Sequence, residues 1–517
     1  MPIRRTQIAW RAALASCVAL AALSAAAFAK DLPPSPDGAA KLQAFFAAYL
    51  GKPAAGAPPA IAVTPESADY AVSIDLGALA APTKALGFSF DPAKIVYKVT
   101  EQDDGTWRVE NDGFPNIAAH IRAEKGGETI EGTETIAVAG AKGEAVIDPA
   151  VGFWRSLSFA SDSADIQAKF PGVDESVHVG PMKASGTGQA SADGAVSAAL
   201  TQSLTGMNFK FVVDPKAMKT AKPGGDDSPD SGPVTVTATA DQATGDVQLG
   251  GLKARALLDL WAFVVAHPTR PELAANEAAF KTLLAAAAAG QAKLDESASL
   301  DKLAVQIPQG LVTIDSAKFG VSAASGSAGA FGERFAAEGL TLPPTLVPAP
   351  FHDFAPTSFA IGFRASGFDV ASAVSEAIAD MHLAGDGPVI APDDGAKIRA
   401  KLIGPNSIVV DPNGIVVDIE PSRIVAPLLD IAFEGHIVYK GAKPTGTLTV
   451  HMKDFDRTVA ALKTLGPDVE KKIAPALAMA KGFAKTDGDG SLVWVGEIGA
   501  DGVMKVNGLP LGKAPPI

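Results

Sequence analysis

The sequence predicts a mostly-β α+β fold, in which extended, curved antiparallel sheets are covered by a few helices. The first observation is that apolar and polar residues alternate with a period of two over most of the chain, as half-buried strands require. The second is that turn dipeptides rich in Asp and Gly separate the alternating segments. With 47% hydrophobic residues in 517 positions, the chain has enough apolar material for more than one core.

The N-terminus predicts export. An uncharged run over residues 12–29 ends in Ala27-Phe28-Ala29 and is preceded by three arginines, Arg4, Arg5 and Arg11. A positive segment, an apolar segment and a small-x-small ending are the parts of a signal peptide. We therefore predict a signal peptide over residues 1–29 and a periplasmic location for the mature protein.

Two other interpretations of this N-terminus remain open. Leu14–Cys17 resembles a lipoprotein box, whose cysteine would carry the lipid. If the run is retained as a membrane anchor, it reaches roughly 27 Å at about 1.5 Å per residue, which is marginal for a bilayer core. Cys17 is the single cysteine of the chain, so cleavage after Ala29 would leave no disulfide and no cysteine ligand for a metal.

The charge balance argues against two classes of partner. Lys and Arg number 44 against 57 Asp and Glu, a net charge of −13. An acidic chain is repelled by the phosphates of nucleic acids and by anionic lipid surfaces. We therefore expect no nucleic-acid partner, and membrane contact only through the N-terminal segment if it is not cleaved.

Turn chemistry divides the chain into three regions after the signal peptide: a first β-rich half over residues 30–250, a helical segment over 251–300, and a second β-rich half over 301–517 with a C-terminal helix and hairpin. A clear hairpin joins Ile95–Val99 to Thr106–Val109, because Gly105 tolerates the positive φ of a tight turn. A second joins residues 407–410 to 415–417. Similar turns are predicted at residues 193–194 and 501–502. Strand-like runs are predicted at residues 128–138, 235–240, 311–321 and 359–364.

Helical spacing appears in few places. Residues 38–50 repeat apolar side chains with helical spacing and should dock on the first sheet. Residues 252–265 and 272–289 form a pair separated by Pro268 and Pro271, which break the helix. A last helical stretch runs from Arg457 to about Phe483, interrupted near residues 466–467. Residues 215–233 carry few apolar side chains and predict a loop.

No catalytic signature is evident, and we predict no catalytic, cofactor-binding or metal-binding residue. The seven histidines are scattered without the short spacing of a zinc site: His120, His178, His267, His352, His382, His436 and His451. Ser299–Lys302 matches a serine-lysine motif, but its companion motifs do not follow. Asp487–Gly490 hints at a calcium loop, yet no glutamate closes it, so a hairpin turn is the better prediction.

The C-terminal residues carry a family resemblance. Strands lead into capped helices near Asp369 and Asp454, and the chain approaches its end with Val506-Asn507-Gly508-Leu509-Pro510-Leu511. This pattern resembles exported proteobacterial proteins of the AsmA-like and YdgA-like group, and in particular an uncharacterised alphaproteobacterial family, domain of unknown function 2125. The resemblance implies long curved sheets with an apolar concave face and lipid handling at the cell envelope. It implies no catalytic residue.

Two hypotheses of function follow, and an enzyme is a distant third. In the first, an apolar groove of a curved sheet binds a lipid or acyl chain, and four aromatic residues are candidates for its lining: Trp107, Trp154, Phe351 and Phe354. In the second, the protein is a structural or partner-binding envelope protein. A groove predicts exposed apolar strand faces, whereas an enzyme predicts a cleft with clustered carboxylates. The ligand and the oligomeric state stay open.

Overall fold

A computed structural model describes residues 29–50, 59–81, 84, 87–125, 128–214, 232–385, 387–390, 414–440 and 443–513. Strands make up 55% of the chain and helices 21%, and the sheets are antiparallel. This composition confirms the mostly-β α+β class. Residues 1–28 of the predicted signal peptide, residues 215–231 of the loop predicted over 215–233, and the hairpin partner over residues 407–410 lie outside the described residues.

The chain divides into two units, residues 1–287 and residues 288–517. The described residues of the first unit form fourteen strands: β1 (Ile61–Pro65), β2 (Tyr70–Asp75), β3 (Phe88–Phe90), β4 (Lys94–Glu101), β5 (Trp107–Asn111), β6 (Ile117–Lys125), β7 (Glu128–Ala139), β8 (Lys142–Asp148), β9 (Phe153–Ser161), β10 (Ser163–Phe170), β11 (Val173–Val179), β12 (Met182–Ala190), β13 (Val196–Val213) and β14 (Val234–Leu252). Its helices are α1 (Pro36–Leu50), α2 (Leu76–Leu79), α3 (Ala254–Ala266), α4 (Arg270–Ala275) and α5 (Glu277–Ala288).

Two antiparallel sheets of the first unit share the long hairpin of β13 and β14. One sheet runs in the order β1-β2-β4-β5-β8-β9-β12-β13, and the other in the order β3-β6-β7-β10-β11-β13. The first part of β13 pairs with β12 and its last part pairs with β11. Gly206 lies between these parts with φ 63°, a left-handed conformation that glycine adopts without steric strain.

The two sheets bury a core between them. Ile136 and Ala164 of one sheet pack in a cluster with Ile95 and Phe159 of the other. Alternation places these side chains on the inner faces, while polar neighbours point outward. The predicted period-two patterning therefore produces stacked sheets in this unit.

Helix α1 covers part of the first sheet, as its spacing predicts. Leu42 packs in a buried cluster with Tyr70, Val99 and Trp107. The Tyr70 hydroxyl accepts a hydrogen bond from the backbone nitrogen of Ser35 at 3.0 Å. The hydroxyl is so close to the start of the helix that a Cβ on Gly38 would lie 2.0 Å from it. Only glycine, which has no Cβ, fits at position 38 without a clash.

The helical segment after β14 contains three helices. Thr269 begins α4 with a capping box, in which its side chain and that of Glu272 bond each other's backbone nitrogens. The break predicted at the two prolines is therefore observed between α3 and α4. The structure ends helix α5 at Ala288, and residues from Lys293 onward form a strand because they alternate and pair with the next strand.

In the part of the second unit that the structure describes there are eleven strands: β15 (Lys293–Ile307), β16 (Gly310–Ala324), β17 (Gly329–Glu338), β18 (Ser358–Phe368), β19 (Ile415–Ala426), β20 (Leu429–Lys440), β21 (Lys443–Lys453), β22 (Lys485–Thr486), β23 (Leu492–Ile498), β24 (Val503–Val506) and β25 (Leu509–Lys513). Its helices are a 3-10 helix (Ala349–Phe354), α6 (Val370–Ala379), α7 (Phe455–Thr464) and α8 (Pro467–Phe483).

The strands of the second unit form one antiparallel meander. The described strands pair in the order β15-β16-β17-β18-β19-β20-β21-β23-β24-β25, which follows the chain, and the short β22, between β21 and β23 in the chain, also pairs with β23. The predicted hairpin turns are confirmed at 103–105 and 193–194 in the first unit and at 487–490 and 501–502 in the second. At the start of α6, Asp369 accepts a hydrogen bond from the Ser372 backbone at 3.0 Å, as a cap should.

Candidate functional site

One face of the sheet of the second unit is mostly apolar; its charged residues include Glu296 and Glu333, which both lie opposite Val321. Residues opposite each other in register on neighbouring strands point to the same face. A single row of such residues crosses seven strands: Ala317, Ala337, Phe359, Ile424, Ile431, Met452 and Leu492. A neighbouring row contains Phe319, Phe335 and Ile361. We call this surface the apolar face.

Part of the apolar face is exposed. Four large side chains on β17 and β18 are more than a third exposed: Phe331 (40%), Phe335 (44%), Ile361 (37%) and Phe363 (37%). We call these four residues the aromatic patch. Phe335 contacts Phe319 with ring centroids 4.9 Å apart, and Phe331 lies 6.2 Å from Phe363. Contiguous exposed apolar area of this kind is typical of interaction surfaces.

The opposite end of the apolar face is covered by helices α7 and α8. Trp494 on β23 lies 5.9 Å from Phe455 at the start of α7. Its Nε1 donates a hydrogen bond to the carbonyl of Ala480 on α8 at 2.7 Å. Among the described residues, the three clusters of buried apolar side chains all lie in the first unit. The aromatic patch therefore lies on the part of this face that helices α7 and α8 do not cover.

The other face of the same sheet is polar and charge-balanced. Arg334 forms an ion pair with Glu420, and Arg423 contacts Asp430 at 2.6 Å. The hydrogen bond from the Arg423 guanidinium holds the pKa of Asp430 below its usual value, although partial burial opposes the shift. This face shows the pairing of charges that solvated sheet surfaces commonly have.

The four aromatic residues proposed from the sequence are not brought together on this surface. Trp107 is only 4% exposed and packs 4.7 Å from the Phe45 ring under helix α1. Trp154 stacks on Phe153 at 4.7 Å, also in the first unit. Phe351 and Phe354 belong to the 3-10 helix of the second unit, where Phe351 is exposed.

The aromatic patch was missed by sequence reasoning although its signal is present. Phe331 and Phe335 are four positions apart on β17, and Ile361 and Phe363 are two positions apart on β18. Residues two or four positions apart on a strand point to the same side. The pattern marks an apolar face, but it does not say whether another element covers that face.

A separate polar groove of about 680 Å³ lies on the first unit. One registered row crosses five strands and contains Glu110, Glu144, Ser158, Ser185 and Thr201. A second row crosses four strands and contains Lys142, Ala160, Lys183 and Ser203, and Asp112 after the end of β5 also lines the groove. Glu110 lies opposite Glu144 in register, and its carboxylate is 3.3 Å from the Arg108 guanidinium. Its lining is far more polar than the apolar face, which makes the groove the poorer site for a hydrocarbon chain.

The histidines lie apart from any cluster of metal-ligating groups. His178 contacts Asp165 at 2.8 Å and His436 contacts Asp418 at 2.6 Å, each across two neighbouring strands. In the part of the chain that the structure describes, no group of three or more His, Cys, Asp or Glu side chains is placed to hold a metal ion. None of the helices described there combines the length and apolar character needed to cross a bilayer.

Comparison with known proteins gives one match. Residues 232–515 match the model of a family described as an uncharacterised protein conserved in bacteria (DUF2125). No curated protein and no solved structure matches the chain. The matched range includes every strand from β15 to β25, so the apolar face and the aromatic patch lie within the part of the chain that the family model covers.

Proposed function

The chain belongs to this DUF2125 family of uncharacterised proteins conserved in bacteria, and on that premise we propose that it binds a lipid, or another elongated hydrophobic ligand, on the apolar face of its second unit. The observation that carries the proposal is the exposed aromatic patch. Burying apolar surface is worth about 25 cal/mol per Å². A ligand that covers the patch therefore gains affinity from several large side chains at once.

The dimensions of the apolar face support a chain-like ligand. Its longest row crosses seven strands from Ala317 to Leu492. Neighbouring strands lie about 4.8 Å apart, so the row extends over about 29 Å. An acyl chain in one leaflet of a bilayer reaches about 15 Å, half of a core of about 30 Å. Helices α7 and α8 cover the end of the row near Met452, which is buried. The part from Ala317 to Ile431 crosses five strands and extends over about 19 Å, so a single acyl chain fits over it, beside the aromatic patch.

We also propose that the protein acts in the periplasm as an envelope protein, after export by its N-terminal segment. The sequence of residues 1–29 supports this location, and the family resemblance to AsmA-like proteins agrees with lipid handling there. The proposal assigns no catalytic step and no cofactor. Cell fractionation, followed by mass spectrometry of the N-terminal peptide, tests the location. A cytoplasmic protein that still carries Met1 would contradict it.

The alternative is a structural or partner-binding protein in which another protein covers the aromatic patch. It draws on the same exposed side chains, so exposure alone does not separate the two functions. A lipid ligand leaves with organic solvent and is recognised by its mass. A protein partner copurifies and leaves the organic extract clean.

The experiment is mass spectrometry of organic extracts from the gently purified protein, compared with a mock purification. Stoichiometric phospholipid or fatty acid would support the proposal. A clean extract, both before and after incubation with liposomes, would overturn it. A clean extract together with a copurifying protein would favour the partner-binding alternative.

Two double variants make the experiment specific for the patch. Phe331→Ser with Phe335→Ser removes half of the aromatic patch and should abolish lipid retention. Leu509→Ser with Leu511→Ser is the matched control, because these residues are 50% and 51% exposed on β25 and lie outside the patch. Equal loss in both variants would mean that lipid adheres to any exposed apolar side chain.

A further inference from the structure

A carboxylate lies in the middle of the aromatic patch. Glu333 follows Phe331 and precedes Phe335 with the same parity on β17, so all three side chains point to the apolar face. On the neighbouring strands, Glu333 lies opposite Val321 and Phe363. Glu333 is half-buried. An ionisable group is therefore surrounded by apolar neighbours on both sides and along its own strand.

The sheet supplies no positive charge to this carboxylate. Lys318, Arg334 and Arg364 have the opposite parity on β16, β17 and β18, so they belong to the polar face. There Arg334 is paired with Glu420. Among the residues that the structure describes, no Lys, Arg or His forms an ion pair with Glu333.

A hydrocarbon ligand on this surface would remove water from the carboxylate. Burying an ionised carboxylate without a partner costs several kcal/mol, whereas a paired and hydrogen-bonded charge costs much less. A ligand that carries its own positive group avoids this penalty. Phenylalanine rings also attract cations, most strongly where water is excluded. Four such rings lie on the apolar face beside or near Glu333: Phe319, Phe331, Phe335 and Phe363.

We propose that the aromatic patch binds the ammonium group of an amine-bearing lipid, with Glu333 as its counter-ion and the acyl chain along the apolar face. This inference rests on the proposed lipid-binding function and specifies its ligand class. The tail would extend from Glu333 past Phe335, which is exposed and points to the same face of β17, toward the long row. The net charge of −13 favours the approach of a cationic group over an anionic one.

The test compares three single-chain amphiphiles with the same twelve-carbon tail, each below its micelle concentration: dodecylammonium, dodecyl maltoside and dodecyl sulfate. Binding is measured by isothermal titration calorimetry to the wild-type protein, Glu333→Gln and Glu338→Gln. Glu338 is the matched control, because it lies on the same strand with the opposite parity and pairs with Ser316 and Ser358. Thermal unfolding of each variant verifies that the fold is kept.

The wild-type protein should bind the ammonium amphiphile about tenfold or more tightly than the maltoside, since a charge-assisted contact is worth about 1.5–3 kcal/mol. Glu333→Gln should remove this preference, and Glu338→Gln should keep it. Equal binding of all three amphiphiles would overturn the inference and leave the lipid-binding function standing. Equal losses in both variants would reduce the effect to the overall charge and would also overturn it. If no amphiphile binds, the proposed function itself fails.

Discussion

Truncation of Phe335 at the aromatic patch separates a binding surface from an ordinary core. Phe335 is 44% exposed, and an aromatic side chain buries about 200 Å² when it is fully covered. A ligand that covers the exposed part therefore removes about 90 Å² from water, which is worth about 2 kcal/mol at about 25 cal/mol per Å². Phe335→Ala should weaken the binding of a neutral amphiphile about thirtyfold.

The assay is calorimetric titration with dodecyl maltoside, with thermal or urea unfolding measured in parallel. Fully buried Phe→Ala changes cost about 3–5 kcal/mol, and because nearly half of Phe335 is already exposed, its cost should be about 2–3 kcal/mol. Leu509→Ala is the control, because Leu509 is 50% exposed outside the patch and should not affect binding. Unchanged affinity in Phe335→Ala would refute the reasoning, and so would an unfolding cost above about 4 kcal/mol, since the ring would then belong to a packed core.

Three further predictions concern the stability of the fold. Leu42→Ala should lower the free energy of unfolding by about 2–5 kcal/mol, because Leu42 is 2% exposed, whereas Leu50→Ala at the exposed end of the same helix should cost under about 1 kcal/mol; similar losses in urea unfolding would contradict the packing of helix α1. Gly38→Ala should destabilise the protein by about 1–3 kcal/mol despite the better helix propensity of alanine, because the new Cβ would lie 2.0 Å from the Tyr70 hydroxyl; a raised melting temperature would contradict this. The pKa of Asp430 is lowered from 3.8 by a hydrogen bond from its arginine partner, so its ion pair stabilises the fold above that pH and the contribution is lost as the pH falls through the lowered pKa. Asp430→Asn should therefore reduce the loss of stability between pH 4 and pH 2 while stability at pH 7 decreases, and identical pH profiles would show that the pair contributes nothing.

The family membership of the chain limits what can be carried over from other proteins. The family model covers residues 232–515 and describes no activity. The surface of the second unit is therefore the feature that distinguishes the possible functions. Variants of the aromatic patch and of Glu333 test that surface. In these measurements a lipid ligand, a protein partner and a surface that binds neither give different results.

The sequence by itself determined the local elements. The alternation at residues 311–321 and 359–364 predicts strands, and the structure has β16 and β18 there. The glycine in the turn at 103–105 and the two prolines near residue 270 predict a turn and a helix break, which are both observed. These predictions succeed because backbone sterics and side-chain periodicity act between residues that are close in the chain.

Only the tertiary structure decided which apolar residues are covered. Trp107 and Phe335 are both aromatic residues in alternating strands, yet the first is under helix α1 and the second is exposed. Strand pairing also decided that Glu333 lies opposite Val321 and Phe363, with Phe331 beside it on its own strand. Burial depends on contacts between segments far apart in the chain, and period-two alternation specifies a face without specifying what packs on it.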